Sequence, residues 1–262
     1  MARVVAIVNQ KGGVGKTTTA VNLAAYLGIV GPVLLVDLDP QANASASLGV
    51  DARQVAPSVY EVLLGQASLE QVIRPSGQPG LDIAPANRAL AGAQVELVEA
   101  EGRDARLARA LAALPARYSA VLIDCPPSLG LLTVNALVAA DAVLVPVQCE
   151  YLALEGLGQL MDTLDLVRER LNPRLELLGV LLTMHDPRLN LSSQVVAEVR
   201  RHFLGTTFQS VIPRSVRLSE APSYGQPILV YAPGSRGAQA YAALAEEVLR
   251  KGVGATSQRR GE

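Results

Sequence analysis

Tryptophan is absent from the 262 residues, and Tyr and Phe bring aromatics to only 3% of the chain. A sizeable core is still affordable, because half of the residues are hydrophobic, but Leu, Val, Ala and Ile must build it. Cysteine occurs twice, at Cys125 and Cys149, too rarely for a disulfide framework and without the spacing of a zinc site. A reducing cytoplasm is the simplest expectation. No apolar run reaches the ~18 residues of a membrane span. Nine residues stand before Gln10, and no signal peptide is expected there. Large charge of either sign is missing too: the net charge is −1, so the molecule is no polycation. Residues 1–150 carry 10 Lys+Arg against 13 Asp+Glu, and residues 151–262 carry 13 against 11, which suits a local basic patch in the second half.

What the chain does have, near its start, is Asn9-Gln10-Lys11-Gly12-Gly13-Val14-Gly15-Lys16-Thr17-Thr18. The apolar run Val4 to Val8 before it reads as a short buried strand, and the apolar spacing of Thr19 to Leu27 reads as a helix. Strand, glycine-rich turn and helix are the context of a phosphate-binding loop. Glycines let backbone N–H groups turn inward around an anion, and the helix N-terminus adds partial positive charge. Lys16 is placed to reach the β/γ-phosphates and Thr17 to hold Mg²⁺. The standard spacing G-x-x-x-x-G-K-[ST] fits at Gly15-Lys16-Thr17, but its first glycine position holds Gln10. A second lysine, Lys11, follows, with two glycines behind it.

The rest of the chain alternates. Val33 to Val36, Leu81 to Ala84, Ala120 to Ile123, Ala142 to Val147, Leu177 to Thr183 and Phe208 to Ile212 read as strands. Helices are expected over 58–64, 88–99, 104–114, 131–139, 154–171, 191–203 and 237–250, with a short one inside the loop 41–49. Residues 65–80, with Gly65, Pro75, Gly77, Pro79 and Gly80, read as a surface connection, and 213–235 as an irregular stretch with at most one helical turn. This order predicts an α/β, single-domain P-loop NTPase fold over 1–251: a mostly parallel twisted sheet with helices on both faces. The tail 252–262 is polar and expected to be disordered.

Three carboxylates fall at strand ends, where open α/β sheets place their ligands. Asp37 and Asp39 close the second strand and are expected to point to opposite sides, one to the metal and one to the attacking water. Asp124 ends the apolar strand at 120–123, the position from which a carboxylate holds Mg²⁺ directly or through water. Pro126 and Pro127 after it have fixed φ and no N–H, so they could stiffen a loop that senses the γ-phosphate.

Lys11-Gly12-Gly13-Val14-Gly15-Lys16-Thr17, Leu35-Val36-Asp37-Leu38-Asp39-Pro40-Gln41 and Ile123-Asp124-Cys125-Pro126-Pro127-Ser128 resemble the three nucleotide-site motifs of the deviant-Walker ParA/MinD ATPases. Leu182 to Arg188 and Val211 to Ser223 are similar to the chromosomal ParA (Soj) branch of that family. The resemblance implies ATP and Mg²⁺ as cofactors and an ATP-sandwich homodimer. In it Lys11 reaches across to the partner's nucleotide, Asp39 positions the hydrolytic water, Asp37 lies near Mg²⁺ and Pro213 lies beside the adenine. Gly12 to Thr18 would cradle the phosphates, with Thr17, Asp37 and Asp124 around the metal. The branch binds double-stranded DNA without sequence preference as an ATP dimer, and its basic residues match Arg188 and Arg217, with Arg214 a weaker match. It also implies a ParB-like centromere-binding partner that stimulates hydrolysis, and a cytoplasmic, nucleoid-associated location.

Other readings of the same fold stay open at this stage. Cys125 beside a metal-site Asp suggests an iron–sulfur reductase with two bridging cysteines per subunit, but the spacing to Cys149 does not resemble that family's. A MinD-like membrane cycler needs an amphipathic C-terminal helix, and Gly252 to Arg260 offers too little apolar surface. The stretch before the loop is too short for an N-terminal helix-turn-helix. A nucleotide switch that places a protein cargo is the remaining alternative to DNA.

Overall fold

The fully apolar runs become the inner strands of one sheet. The computed structural model describes residues 2–150 and 153–254. In chain order they form β1 (Arg3–Ile7), α1 (Lys16–Gly28), β2 (Val33–Asp37), α2 (Asn43–Ser47), α3 (Val59–Leu64), α4 (Leu69–Val72), β3 (Arg74–Gln78) and β4 (Leu81–Ala84). There follow α5 (Leu90–Glu96), α6 (Arg106–Ala112), β5 (Ala120–Asp124), α7 (Leu131–Ala139), β6 (Ala142–Gln148) and α8 (Ala153–Arg170). The second half ends with β7 (Glu176–His185), α9 (Asn190–His202), β8 (Thr207–Pro213), α10 (Val216–Glu220), α11 (Ile228–Tyr231) and α12 (Arg236–Arg250).

The strand order is β3-β4-β2-β5-β1-β6-β7-β8. Every neighbouring pair is parallel except β3 with β4. The chain leaves β1 for β2 and skips one place, which β5 fills later. That reversal of direction at β1 opens a crevice at the C-terminal ends of the strands, the usual ligand position of an open α/β sheet. All five residues of β2 and of β5 are buried, as strands covered by helices on both faces must be.

Strand parity divides the core into two layers. Val5, Ile7, Val33, Leu35, Ala120 and Leu122 pack with α1, α2 and α12 on one face. Ala6, Val8, Leu34, Val36, Val121 and Ile123 pack with helices α3 to α9 on the other. By the same period of two, Asp37 and Asp124 lie on the α1 face. They are also register partners across β2 and β5.

Several expectations need correction. Residues 65–80 are no mere connection: they hold α4 and β3. β3 carries Pro75 and Gly77 and lacks an apolar pattern because it is an antiparallel edge strand, where a missing N–H and a missing side chain are tolerated. Residues 213–235 hold α10, a 3₁₀ turn at Ala221–Tyr224 and α11, more than one helical turn. These short pieces are held by tertiary contacts: Leu218 and Ile228 are buried, and the Ile228 N–H donates to Asn22 Oδ1 at 2.6 Å. The helix expected over 88–99 is shorter, Leu90–Glu96, and the next begins as a 3₁₀ turn at Arg103–Ala105. Val253 is fully buried, so packing continues past residue 251, and residues 255–262 lie outside the described residues.

α1, which carries the glycine-rich loop at its N-terminus, is anchored by α12. Tyr241 is 1% exposed, and its hydroxyl shares a 3.2 Å hydrogen bond with Thr19 Oγ1. Tyr241→Phe leaves the buried Thr19 hydroxyl without that partner. The expected loss is about 1 kcal/mol of stability, a fall in melting midpoint of about 2–4 °C; an unchanged midpoint in calorimetry would remove this anchor from the account.

Candidate functional site

The loop after β1 is clipped at both ends. Asn9, 6% exposed, donates from Nδ2 to the Pro146 carbonyl at 2.7 Å and accepts the Lys11 N–H at 2.9 Å. Thr183 Oγ1 donates to the Val14 carbonyl at 2.8 Å, tying the loop to the end of β7. Gly13 and Gly15 sit at φ 74° and 86°, the left-handed region that side chains avoid. A Cβ on Gly12 or Gly13 would meet nothing within 4 Å, so the mouth of the loop is open. Neither Asn9 nor Thr183 was given a role from the sequence, although Asn9 opens the glycine-rich run and Thr183 lies within the stretch Leu182 to Arg188.

The two lysines behave differently. Lys16 is buried, and its Nζ donates to the Lys11 carbonyl at 3.0 Å. Burial lowers its pKa, while Asp124, Cys125 and Asp39 pull the other way. Lys11 stands at the rim, its side chain 43% exposed, in an ion pair of 3.3 Å with Glu150. Thr17 and Thr18 follow at the start of α1, half-buried.

Asp37, Asp39 and Asp124 lie near enough to act on one another's charge, but they are not equivalent. Asp37 is fully buried and already occupied: its Oδ2 accepts the Ser45 N–H at 2.8 Å and the Ser45 hydroxyl at 2.7 Å, and its Oδ1 accepts the Asp39 N–H at 3.2 Å. Burial raises its pKa to about 6 against the pull of those bonds. Asp39, 7% exposed, accepts the Gln41 N–H at 2.9 Å. Asp124 is fully buried, and neither of its oxygens has a hydrogen-bond partner. Burial, then the neighbouring Asp37, push its pKa well above the carboxylate range; Thr17 and Lys16 favour the ionised form without satisfying it. A buried, unpartnered carboxylate beside a hydroxyl and an ammonium is a fitting oxygen ligand for a hard divalent cation. Ser45, which donates twice to Asp37, was not foreseen from the sequence.

Beside the loop, Gly15, Thr18, Met184, Pro213, Leu218 and Tyr241 line a largely apolar cleft of about 530 Å³, the right kind of seat for a planar base. Pro213, which the resemblance sets beside an adenine, lines this cleft, and residues 214–222 form part of its wall. Arg188 and Arg214 come together at a second hollow at the ends of β7 and β8. Arg188 is held by Asp186 through two bonds, Nε at 2.9 Å and Nη2 at 2.7 Å. Arg217 stands apart on α10, paired with Glu220 at 3.0 Å. Cys125 and Cys149 are free and buried in the core, and burial raises the pKa of both thiols, that of Cys149 to about 11. Among the described residues no helix is long and apolar enough to cross a membrane.

A family model described as an AAA domain matches residues 2–177. The sporulation initiation inhibitor protein Soj of Bacillus subtilis is 53% identical over 253 residues, covering 96% of this chain and all of that one. The chain belongs to the ParA/Soj family of ATPases. The chromosome-partitioning ATPase Soj of Thermus thermophilus is also 53% identical, over 95% of this chain and 96% of its own. A solved structure named as cobyrinic acid a,c-diamide synthase from Mycobacterium smegmatis, with an ATP analogue and magnesium bound, superposes with a TM-score of 0.84 at 41% identity, covering 95% of each chain. The ParA/Soj reading therefore rests on nearly the whole length of the sequence and on the fold together.

The unpartnered carboxylate has a measurable consequence. A folded-state pKa raised above the ordinary carboxylate value means that stability is present below that ordinary value and is lost as pH rises from it through the raised one. Asp124→Asn is expected to raise the melting midpoint of the nucleotide-free chain at pH 7, by about 2–4 °C per kcal/mol relieved, while removing Mg²⁺-dependent hydrolysis. A midpoint that falls would show the carboxylate to be satisfied.

Proposed function

We propose that the chain is a DNA-partitioning ATPase that dimerises on ATP, binds double-stranded DNA without sequence preference and releases it on hydrolysis. The observation that carries this reading is the division of labour between the lysines. Lys16 lies inside its own loop, whereas Lys11 lies on the rim, half-exposed and held by a solvent-exposed ion pair of small strength. A lysine placed there is available to a second subunit's nucleotide, as an ATP sandwich requires.

In this reading Lys16 exchanges the Lys11 carbonyl for the β/γ-phosphates, and the N–H groups of Gly12 to Thr18 close around them. Thr17 and Asp124 would hold Mg²⁺, with Asp37 nearby, and a bound ion would supply charge neutralisation for phosphoryl transfer. Asp39 orients the attacking water, and Lys11 stabilises charge on the partner's transferring phosphoryl group. The base rests by Pro213. Arg188, Arg214 and Arg217 face DNA phosphates, a ParB-like protein stimulates hydrolysis, and the dimer resides on the nucleoid. Support for the DNA role comes from the chromosome-partitioning name of the Thermus thermophilus relative and from the exposure of these arginines.

Gel shifts on long random-sequence DNA test it. Retardation is expected with ATP and Mg²⁺ and not without, and increasing salt should weaken it steeply. Lys11→Ala should abolish both ATP-dependent dimerisation and retardation, and Arg217→Glu should abolish retardation alone. No ATP-dependent retardation by the unaltered chain would favour a switch that places a protein cargo. Asp39→Ala should lower kcat by about 100-fold or more and leave dimerisation in place; hydrolysis at the normal rate would remove Asp39 from the mechanism.

A further inference from the structure

The hollow at the ends of β7 and β8 has a third arginine that no motif announces. Arg236, the first residue of α12, lines the same cavity of about 310 Å³ as His185, Asp186, Arg188 and Arg214. The sheet builds this meeting: His185 and Pro213 are register partners, and the Arg214 N–H donates to the His185 carbonyl at 3.0 Å. The charges in the hollow are unevenly compensated. Arg188 is neutralised by Asp186, which it grips bidentately, with only Nη1 left free of that pair. Arg214 and Arg236 form no ion pair among the described residues. Both are exposed.

Arg236 also breaks a local rule. The first turn of a helix favours carboxylates, because the helix dipole presents positive charge there. The first turn of α12 holds no acidic residue and opens with a cation instead, while Ser235 supplies the cap through Ala238 N–H at 3.2 Å. Three arginines against one aspartate around one cavity leave a positive excess that an anion would resolve.

We propose that Arg214 and Arg236 seat one phosphodiester of the DNA backbone in this hollow, with Arg188 Nη1 at its edge. This rests on the DNA-binding reading above and assigns Arg236 to it. Each dimer would lose two phosphate contacts in Arg236→Ala. The expected result is an affinity for random-sequence DNA about tenfold lower with ATP, and a plot of log K against log salt flatter by about 2. Arg236→Lys should recover most of both, and melting with and without ATP checks that each variant folds and takes nucleotide. An Arg236→Ala variant with the unaltered affinity and salt slope overturns the seat and leaves the DNA reading standing. A Lys variant as weak as the Ala variant also overturns it, since charge would then not be what matters. No DNA binding by the unaltered chain overturns the DNA reading and the seat with it.

Discussion

Two carboxylates buried side by side set the terms for this structure. Asp37 and Asp124 are register partners at the C-terminal edge of the sheet, both without solvent. Like charges in that position are costly, and the cost is met unequally. Ser45 gives Asp37 two hydrogen bonds, and Asp124 receives none. The nearest cation, Lys16, is itself desolvated and donates to a loop carbonyl. Taken alone, the chain thus holds an unresolved charge arrangement, which a divalent cation and a nucleotide's phosphates would complete. The rigid two-sided packing of β2 and β5 is what keeps these groups from relaxing away.

The second lysine is held on different terms. Lys11 and Glu150 are each nearly half exposed, so their ion pair gains little over hydration and is readily exchanged. The loop backbone between the two lysines is pinned by Asn9 and Thr183, which fixes where Lys11 leaves the surface without fixing what it contacts. A pinned backbone and a cationic tip held only by an exposed ion pair suit the role across subunits proposed for Lys11.

The basic surface obeys similar logic on a wider scale. With a net charge of −1, the nucleic-acid affinity proposed above cannot come from the whole molecule's field. It has to come from local excess, and two of the arginines named from the family motifs, Arg188 and Arg217, already have acidic neighbours. The uncompensated charge lies where β7, β8 and the start of α12 meet.

Apolar runs and glycines alone determined much of this protein. β1, the loop, α1 and the all-buried strands were legible because a strand covered on both faces must be continuously apolar, and because an anion loop needs glycine where φ is positive. The strand-end positions of Asp37, Asp39 and Asp124 were legible for the same reason. Tertiary structure alone decided the rest. Strand order placed Asp124 against Asp37, since register between strands far apart in sequence leaves no local trace. The edge strand β3 and the short helices of 213–235 take their form from neighbours and not from their own pattern. The bond of Ser45 to Asp37, 8 positions away, and the meeting of Arg236 and Arg214 at one cavity, 22 positions apart, are set by the packing of helices on the sheet. A sequence states which groups are charged; which of them remain uncompensated is a property of distance, and only the fold sets distance.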